Sequence, residues 1–416
     1  MKRFHYAWVI CFAGFWLFLC NIGMSSNVLT VYLPFIEATG ISHSMGSAII
    51  TVRCLFSFLI LVVLGPIYRK LSLRFAILLF CLAGAVPPLI FLFSKGPLGY
   101  YTGAAFAGIA YGGGTVLPVS ILITNWFRSK RGFAIGLSSS GSAFFNMLFA
   151  PFISSLILKH SLRAAYMFQI AFMLASALLV FLLVRDRPED MGLQPYITAE
   201  TTGVRQERNA PPAPPLTKKM LFLLALMMLL NGGAALSFSG HLSVLTISCH
   251  YSAETAGRVI SMFGLVMVPG KMFAGKLADI IGAKRCSLLL IGIFLSGCVC
   301  VMGMDGVHFW WCMAMATLLG FGASVYNVGP SLWSADLVPS YQYAETLRWL
   351  QMFYNFGGIA FTTVPGIIAD HTGEYKSSYV LFAAMMIASA WLLIYVYRLA
   401  QRGDQSSLNP ASRSAS

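Results

Sequence analysis

Acidic residues are scarce in this chain, and charge of either sign is uncommon. The 416 residues include 14 Asp and Glu against 28 Lys and Arg, so the net charge is +14. Charged residues make up 10% of the sequence, whereas a soluble domain carries about 25%. Hydrophobic residues make up 58%, and the mean hydropathy is +0.76. These values exclude an ordinary soluble domain and predict an integral membrane protein.

Several kinds of functional site are also missing. The sequence contains no GxxxxGK[ST] phosphate loop, so ATP is not expected as the direct energy source. Most of the nine Cys lie inside apolar runs at irregular spacing, which predicts neither a disulfide framework nor a zinc site. The Lys and Arg residues are dispersed at the ends of apolar runs, which argues against nucleic acid as a partner. We expect no cofactor, metal, nucleotide or nucleic acid.

Twelve apolar runs fill most of the chain, and each approaches or exceeds the ~20 residues that a membrane-spanning helix needs. They predict an all-α membrane protein with twelve transmembrane helices surrounded by lipid. The predicted spans are 7–35, 44–66, 74–94, 98–125, 132–158, 163–184, 219–247, 254–278, 284–303, 307–334, 344–369 and 377–398.

One long connection divides these runs into two sets of six. It contains RDRPEDMGLQPY and RNAPPAPPLTKK, and its proline and charge content is typical of a flexible linker. The predicted units are a six-helix bundle at 1–184, a cytoplasmic linker at 185–218, a second six-helix bundle at 219–398 and a cytoplasmic tail at 399–416. The bundles resemble each other, since GPIYRKLSLR begins at Gly65 and GKLADIIGAKR begins at Gly275. Repeated halves are typical of transporters that bind their solute between the halves.

The distribution of Lys and Arg predicts the orientation in the membrane. With the N-terminus inside, most cations fall on the cytoplasmic side, which is the usual bias of membrane proteins. We therefore expect a plasma-membrane protein with both termini in the cytoplasm. The cations predicted for the opposite side are Lys95, Lys159, Arg163, Arg258 and Lys376.

Two cations, Arg53 and Lys271, lie inside predicted spans, and no Asp or Glu lies in the cores of those spans. A charge within the membrane costs several kcal/mol unless it is paired. A bound anion is the simplest missing counter-charge, and we predict that both cations face one central cavity. Two structural alternatives remain open: Lys271 could extend its amine to the interface, and Arg53 could bond to carbonyl groups of a neighbouring helix.

Four other polar residues are candidate substrate contacts. His241 lies within the seventh span, and histidine changes its charge near neutral pH, which suits proton coupling. A buried lysine can also release its proton, so Lys271 is the second candidate proton carrier. Asn27, Tyr354 and Asn355 are candidates for lining the cavity, although single polar residues in spans more often hold helices together.

The Gly275 repeat resembles the signature G-x-x-x-D-R-x-G-R-R of the major facilitator superfamily. Gly275, Asp279, Gly282 and Lys284 fall at its positions, and Arg285 follows directly after it. In the first-half copy, Arg69 stands where Asp is expected and Ser72 where Gly is expected. The resemblance implies two six-helix bundles and a cytoplasmic gate, for which we single out Gly275, Asp279 and Arg131.

Within that superfamily the chain is similar to the monocarboxylate transporter and oxalate:formate antiporter group. The segments that carry this are NWFRSKRGFAIGLSSSGSAF, RDRPEDMGLQP and the eighth span, where Lys271 takes the place of the group's substrate-binding Arg. Met267 stands where animal carriers have an Asp, and Asn27 where they have a Lys. The stretch YNFGG, 354–358, matches the position of a Lys in the oxalate carrier. The chain therefore keeps one cation of this group and adds Arg53.

The sequence-based hypothesis is a secondary carrier for small organic anions, with monocarboxylates as the leading class and a proton as the leading coupling ion. An organic-anion exchanger needs no protonatable residue and is the first alternative. An efflux carrier for amphipathic compounds would not need two cations in its spans. A membrane enzyme would need a nucleophile–base pair or metal cluster, which we do not find, and a receptor would usually carry an added soluble domain.

Overall fold

The computed structural model describes residues 5–37, 43–94, 96–197, 217–339, 341–372 and 374–408. Within these ranges it contains twelve helices long and apolar enough to cross a membrane and no β-strand, apart from an isolated bridge between Phe127 and Tyr196. This confirms the all-α fold with twelve transmembrane helices. Residues 198–216 of the predicted linker and 409–416 of the predicted tail lie outside the described ranges. The spans, α1 to α12, are Ala7–Leu33, Ala48–Lys70, Leu73–Phe93, Pro97–Trp126, Arg131–Lys159, Leu162–Leu183, Lys218–Leu242, Thr255–Ile281, Ala283–Met302, Phe309–Leu337, Tyr343–Ala369 and Lys376–Gln401.

Some helices extend beyond these spans. The helix of α2 begins at His43, that of α7 ends at Ser248, and that of α12 ends at Leu408. The start of the predicted tail is therefore helical. We call α1–α6 the N-half and α7–α12 the C-half. The basic face is the end of the molecule that carries the turns around Lys70, Arg128 and Ile281.

Two helices of the N-half are irregular where they meet. α1 is π-helical over Phe18–Asn27. α5 consists of the segments Arg131–Ser139 and Gly141–Phe144, a π-helical turn at Phe145–Phe149, and Ala150–Lys159. A Cβ on Gly141 would strike the main chain of Phe15, so the two backbones are in direct contact here. Irregular turns of this kind are frequent at functional sites because they free backbone groups from the helical ladder.

The first part of the predicted linker is bonded to the N-half. The carboxylate of Asp186 accepts hydrogen bonds from the N–H groups of Leu73 and Arg74, both at 2.9 Å, and so caps the first turn of α3. Further along, the oxygen of Tyr196 accepts from the N–H groups of Arg128 and Ser129 in the turn before α5. The RDRPEDMGLQPY segment therefore holds the turns of the basic face, in contrast to the free linker that its composition indicates.

Candidate functional site

Arg53 lies deep inside the N-half, and 8% of its surface is exposed. Its Nη1 donates to Ser26 Oγ at 2.7 Å, and its Nη2 to Cys54 Sγ at 2.9 Å. The guanidinium carbon is 5.3 Å from the ring centroid of Tyr111, a distance typical of a cation–π contact. Gly108 allows this arrangement, because a Cβ there would strike the main chain of Arg53. All of these partners are neutral.

The C-half contributes the neighbouring polar groups through α11. Tyr354 lies in this helix, directly before Asn355. One turn after Arg53, Ser57 Oγ donates to Asn355 Oδ1 at 3.2 Å. The structure therefore brings together three of the predicted contacts, Arg53, Tyr354 and Asn355, where α2 faces α11.

Lys271 is completely enclosed, with 1% of its surface exposed. Its Nζ donates to the main-chain oxygen of Ser139 at 3.1 Å and to Ser142 Oγ at 2.8 Å, both on α5 of the N-half. A Cβ on Gly136 would strike the Lys271 carbonyl group, so α5 and α8 are in backbone contact at this level. The amine does not extend to the interface, because it ends against the break in α5.

No described carboxylate forms an ion pair with Arg53 or Lys271. His308–Asp305 and Arg348–Glu345 are two ion pairs of the described part of the chain, and neither includes these cations. The cations also lie at different depths. At about 1.5 Å per residue, Lys271 is about 15 Å from the basic end of α8 and Arg53 is about 25 Å from that of α2. The interior of the molecule therefore holds two cations without a described carboxylate partner, at two different distances from the basic face.

The other two candidate contacts lie elsewhere. Asn27 Nδ2 donates to Asn146 Oδ1 at 3.3 Å, which joins α1 to α5. His241 Nδ1 lies 2.8 Å from the oxygen of Ser237 in its own helix, and its ring centroid is 5.9 Å from that of Tyr375, in the turn before α12. These contacts of His241 do not join it to either cation.

Four contact residues were not singled out from the sequence: Ser26, Tyr111, Ser139 and Ser142. Ser139 and Ser142 belong to the run SSSGS at 138–142, whose serines and glycine were a signal of an irregular helix. Ser26 and Tyr111 gave no such signal, because single hydroxyl groups in apolar helices are common.

Asp279 joins α8 to α5 on the basic face. Its Oδ1 accepts from Gly132 N and its Oδ2 from Phe133 N, both at 2.8 Å. These N–H groups belong to the first turn of α5, which has no side-chain cap of its own and carries partial positive charge. A Cβ on Gly132 would lie 2.5 Å from the oxygen of Gly275, so the halves touch backbone to backbone. Arg131 is the first residue of α5 and directly precedes Gly132 in this contact.

A second contact on the basic face joins α2 to α11. Arg348 Nη1 donates to the main-chain oxygens of Leu61 at 3.2 Å and Val62 at 2.9 Å. Pro66 lies inside α2 and has no N–H group, so it cannot bond to Val62 four residues earlier. The freed oxygen is therefore available to Arg348. Both contacts hold the halves together at this end of the molecule.

Comparison with known proteins decides the family. The model of the Major Facilitator Superfamily matches residues 15–257 and 224–415. The chain belongs to the Major Facilitator Superfamily. It is therefore a multi-pass membrane transporter, and the predicted family is confirmed.

Named relatives are distant. The chain is 23% identical over 413 residues to the MFS transporter asaE of Aspergillus flavus, a match that covers 95% of this chain and 88% of that protein. It is 22% identical over 328 residues to monocarboxylate transporter 12 of Rattus norvegicus, covering 71% of this chain and 64% of that protein.

Solved structures agree on the fold. The superfamily transporter FucP in the outward conformation matches with a TM-score of 0.71 and 15% identity over 94% of this chain and 98% of FucP. A variant of the E. coli fucose:proton symporter FucP matches with a TM-score of 0.69 and 16% identity, over the same shares of the two chains. At these identities the likeness shows the fold alone.

Proposed function

We propose that this transporter is a secondary active carrier for small organic anions, with monocarboxylates as its substrate class, and that it works by alternating access in the plasma membrane with proton coupling. The observation that carries the proposal is the pair of enclosed cations, Arg53 and Lys271, with neutral partners among the described residues. Leaving a charge in this setting costs several kcal/mol. An anionic substrate supplies the counter-charge and is thereby drawn into the protein.

The two cations have different capacities for a carboxylate. The guanidinium of Arg53 can hold both carboxylate oxygens at once, whereas the ammonium of Lys271 acts as a point charge. The ring of Tyr111 lies beside Arg53, and Tyr354 precedes Asn355, which bonds to the helix of Arg53. The two phenols provide donors as well as apolar ring surface. This combination fits a small carboxylate with an organic body.

The contacts on the basic face support alternating access. Asp279 and Arg348 hold the two halves together there, so this end is closed while the site exchanges with the opposite side. The basic face is the cytoplasmic one by the usual distribution of Lys and Arg. Rocking of one half against the other breaks these contacts and opens the site to the cytoplasm.

The relatives are consistent with this proposal. One carries the name monocarboxylate transporter. A solved structure of the same fold is described as a proton symporter, so proton coupling has a precedent in this architecture. For this chain, both monocarboxylate transport and proton coupling are part of the proposal.

Counterflow into proteoliposomes tests the proposal with matched pairs of probes. Each pair contains an acid and its neutral amide: acetate with acetamide, and benzoate with benzamide. We expect exchange of carboxylates and none of the amides. The Arg53→Gln variant should lose the activity, while Arg163→Gln, which removes an exposed cation, should keep it. Transport of the amides at the carboxylate rate would refute an anion carrier.

A further inference from the structure

Lys271 joins the two halves at the break in α5. It belongs to α8 of the C-half, and both of its acceptors, the Ser139 oxygen and Ser142 Oγ, belong to the N-half. Ser142 Oγ also donates to the Ser139 oxygen at 3.1 Å. The enclosed ammonium therefore closes a small hydrogen-bond network that spans the boundary between the halves.

The break makes the Ser139 oxygen a strong acceptor. The first segment of α5 ends at Ser139, and Ala143 N donates to Ser140 three residues back, so the helical ladder is interrupted here. The last carbonyl groups of a helix carry partial negative charge and favour a cation. The carbonyl groups at this end of the segment therefore attract the Lys271 ammonium with partial negative charge only.

A carboxylate is a better partner for the ammonium than either of these groups. The bonds from Lys271 to Ser139 and Ser142 are charged on the donor side alone, whereas a bond to a carboxylate adds the attraction between two full charges. Since a ligand shifts a conformational equilibrium only through different affinities for the two states, an anion that binds Lys271 most strongly when the amine has left Ser139 favours the separated halves.

We propose that Lys271 is a latch between the halves and that the anion substrate releases it. In the empty carrier, the bonds from Lys271 to Ser139 and Ser142 hold α5 against α8 and keep the basic face closed. The arriving carboxylate takes over the ammonium, the bonds across the boundary are lost, and the basic face opens. This inference rests on the proposed function, because it assumes that the substrate is an anion.

Spin labels on the basic face measure this opening. Leu71 and Tyr341 are exposed, in turns of opposite halves, and can be changed to Cys for labelling. The native thiols are buried except Cys300, which is partly exposed and is replaced by Ser. Distances between the labels are recorded by electron–electron resonance in nanodiscs without anion and with saturating acetate, pyruvate or benzoate.

The decisive variant is Ser142→Ala, with Ser140→Ala as its control. Ser140 Oγ donates to Leu137 within its own helical segment and so makes no bond across the boundary. Loss of one charge-assisted bond should shift the open-to-closed ratio about tenfold towards open in Ser142→Ala without anion. Ser140→Ala should match the parent. In Lys271→Gln, the distances should no longer respond to the probes.

Two results would overturn the latch: a Ser142→Ala distribution equal to that of Ser140→Ala, or a Lys271→Gln carrier that still opens with the probes. If carboxylates are transported while either result holds, the latch fails and the anion-carrier proposal stands. If the parent protein transports none of the probes, the proposed function fails. The anion-free comparison of the two serine variants then still decides whether the Lys271 network holds the halves together.

Discussion

Arg348 on α11 binds the main-chain oxygen of Val62 on α2, and this contact takes the place of a carboxylate that the first half lacks. In the second half, Asp279 joins α8 to α5 through N–H groups. In the first half, Arg69 stands in the corresponding position and is exposed. In the contact between α2 and α11, the charged group is Arg348 of the C-half. Its acceptors are main-chain oxygens of the N-half, and one of them, that of Val62, is freed by Pro66. The two contacts thus have opposite polarity.

Removal of the Arg348 guanidinium should destabilise the closed basic face. We expect Arg348→Gln to cost the closed basic face about 1 kcal/mol, because the bonds to Leu61 and Val62 are partly solvent-exposed. Label distances between positions 71 and 341 should lengthen in a larger fraction of molecules. Arg69→Gln removes an exposed cation near the same turn and is the control. Equal distributions for the two variants would contradict a holding role for Arg348.

The close contact at Gly132 should also be necessary for the basic face to stay closed. A Cβ there would lie 2.5 Å from the Gly275 oxygen and 2.7 Å from Asp279 Oδ1, so Gly132→Ala should separate α5 from α8 and open the basic face. Gly292→Ala adds the same methyl group where nothing lies within 4 Å. The same distance measurement should find the first variant open and the second unchanged. A closed Gly132→Ala protein would show that the backbone contact is dispensable.

The number of helices and the two enclosed cations could be predicted from the sequence, because only continuous apolar runs satisfy the backbone within a membrane. The partners of these cations could not. The Ser139 and Val62 oxygens are backbone groups that any residue type supplies. The break in α5 frees the Ser139 oxygen, and Pro66 frees the Val62 oxygen. Each meets its cation only when the N-half and the C-half pack together. Residue type alone marks His241 as a candidate, whereas its neighbours, such as Tyr375, are set by its position along α7.

Charge at position 271 should decide transport. Lys271→Gln should reduce carboxylate uptake at least about tenfold, as expected for the loss of a charge-assisted bond. Lys271→Arg should keep part of the activity, because it retains the positive charge on a side chain of different shape. Initial rates in proteoliposomes with equal amounts of protein measure both. Uptake by Lys271→Gln at the parent rate would make the position structural.

Proton coupling and anion exchange make different predictions for liposomes without internal anion. Under the proposed symport, an imposed inward proton gradient should drive accumulation of acetate, and a protonophore should abolish it. His241→Gln, assayed in parallel, should show whether the gradient response requires His241. Lys271→Gln does not serve this purpose, because its uptake is expected to fall with the charge that binds the anion. Uptake that occurs only with internal anion, whatever the gradient, would identify an exchanger.

Calorimetric titration of the purified protein tests the central claim most directly, because it measures binding without the transport cycle. The claim is that enclosed positive charge, and not the shape of the site, selects the substrate. The account predicts that benzoate binds, that benzamide does not, and that Arg53→Gln weakens benzoate binding at least about tenfold while Arg163→Gln leaves it unchanged. Benzamide binding as tightly as benzoate, or an Arg53→Gln protein with the affinity of the parent, would contradict it.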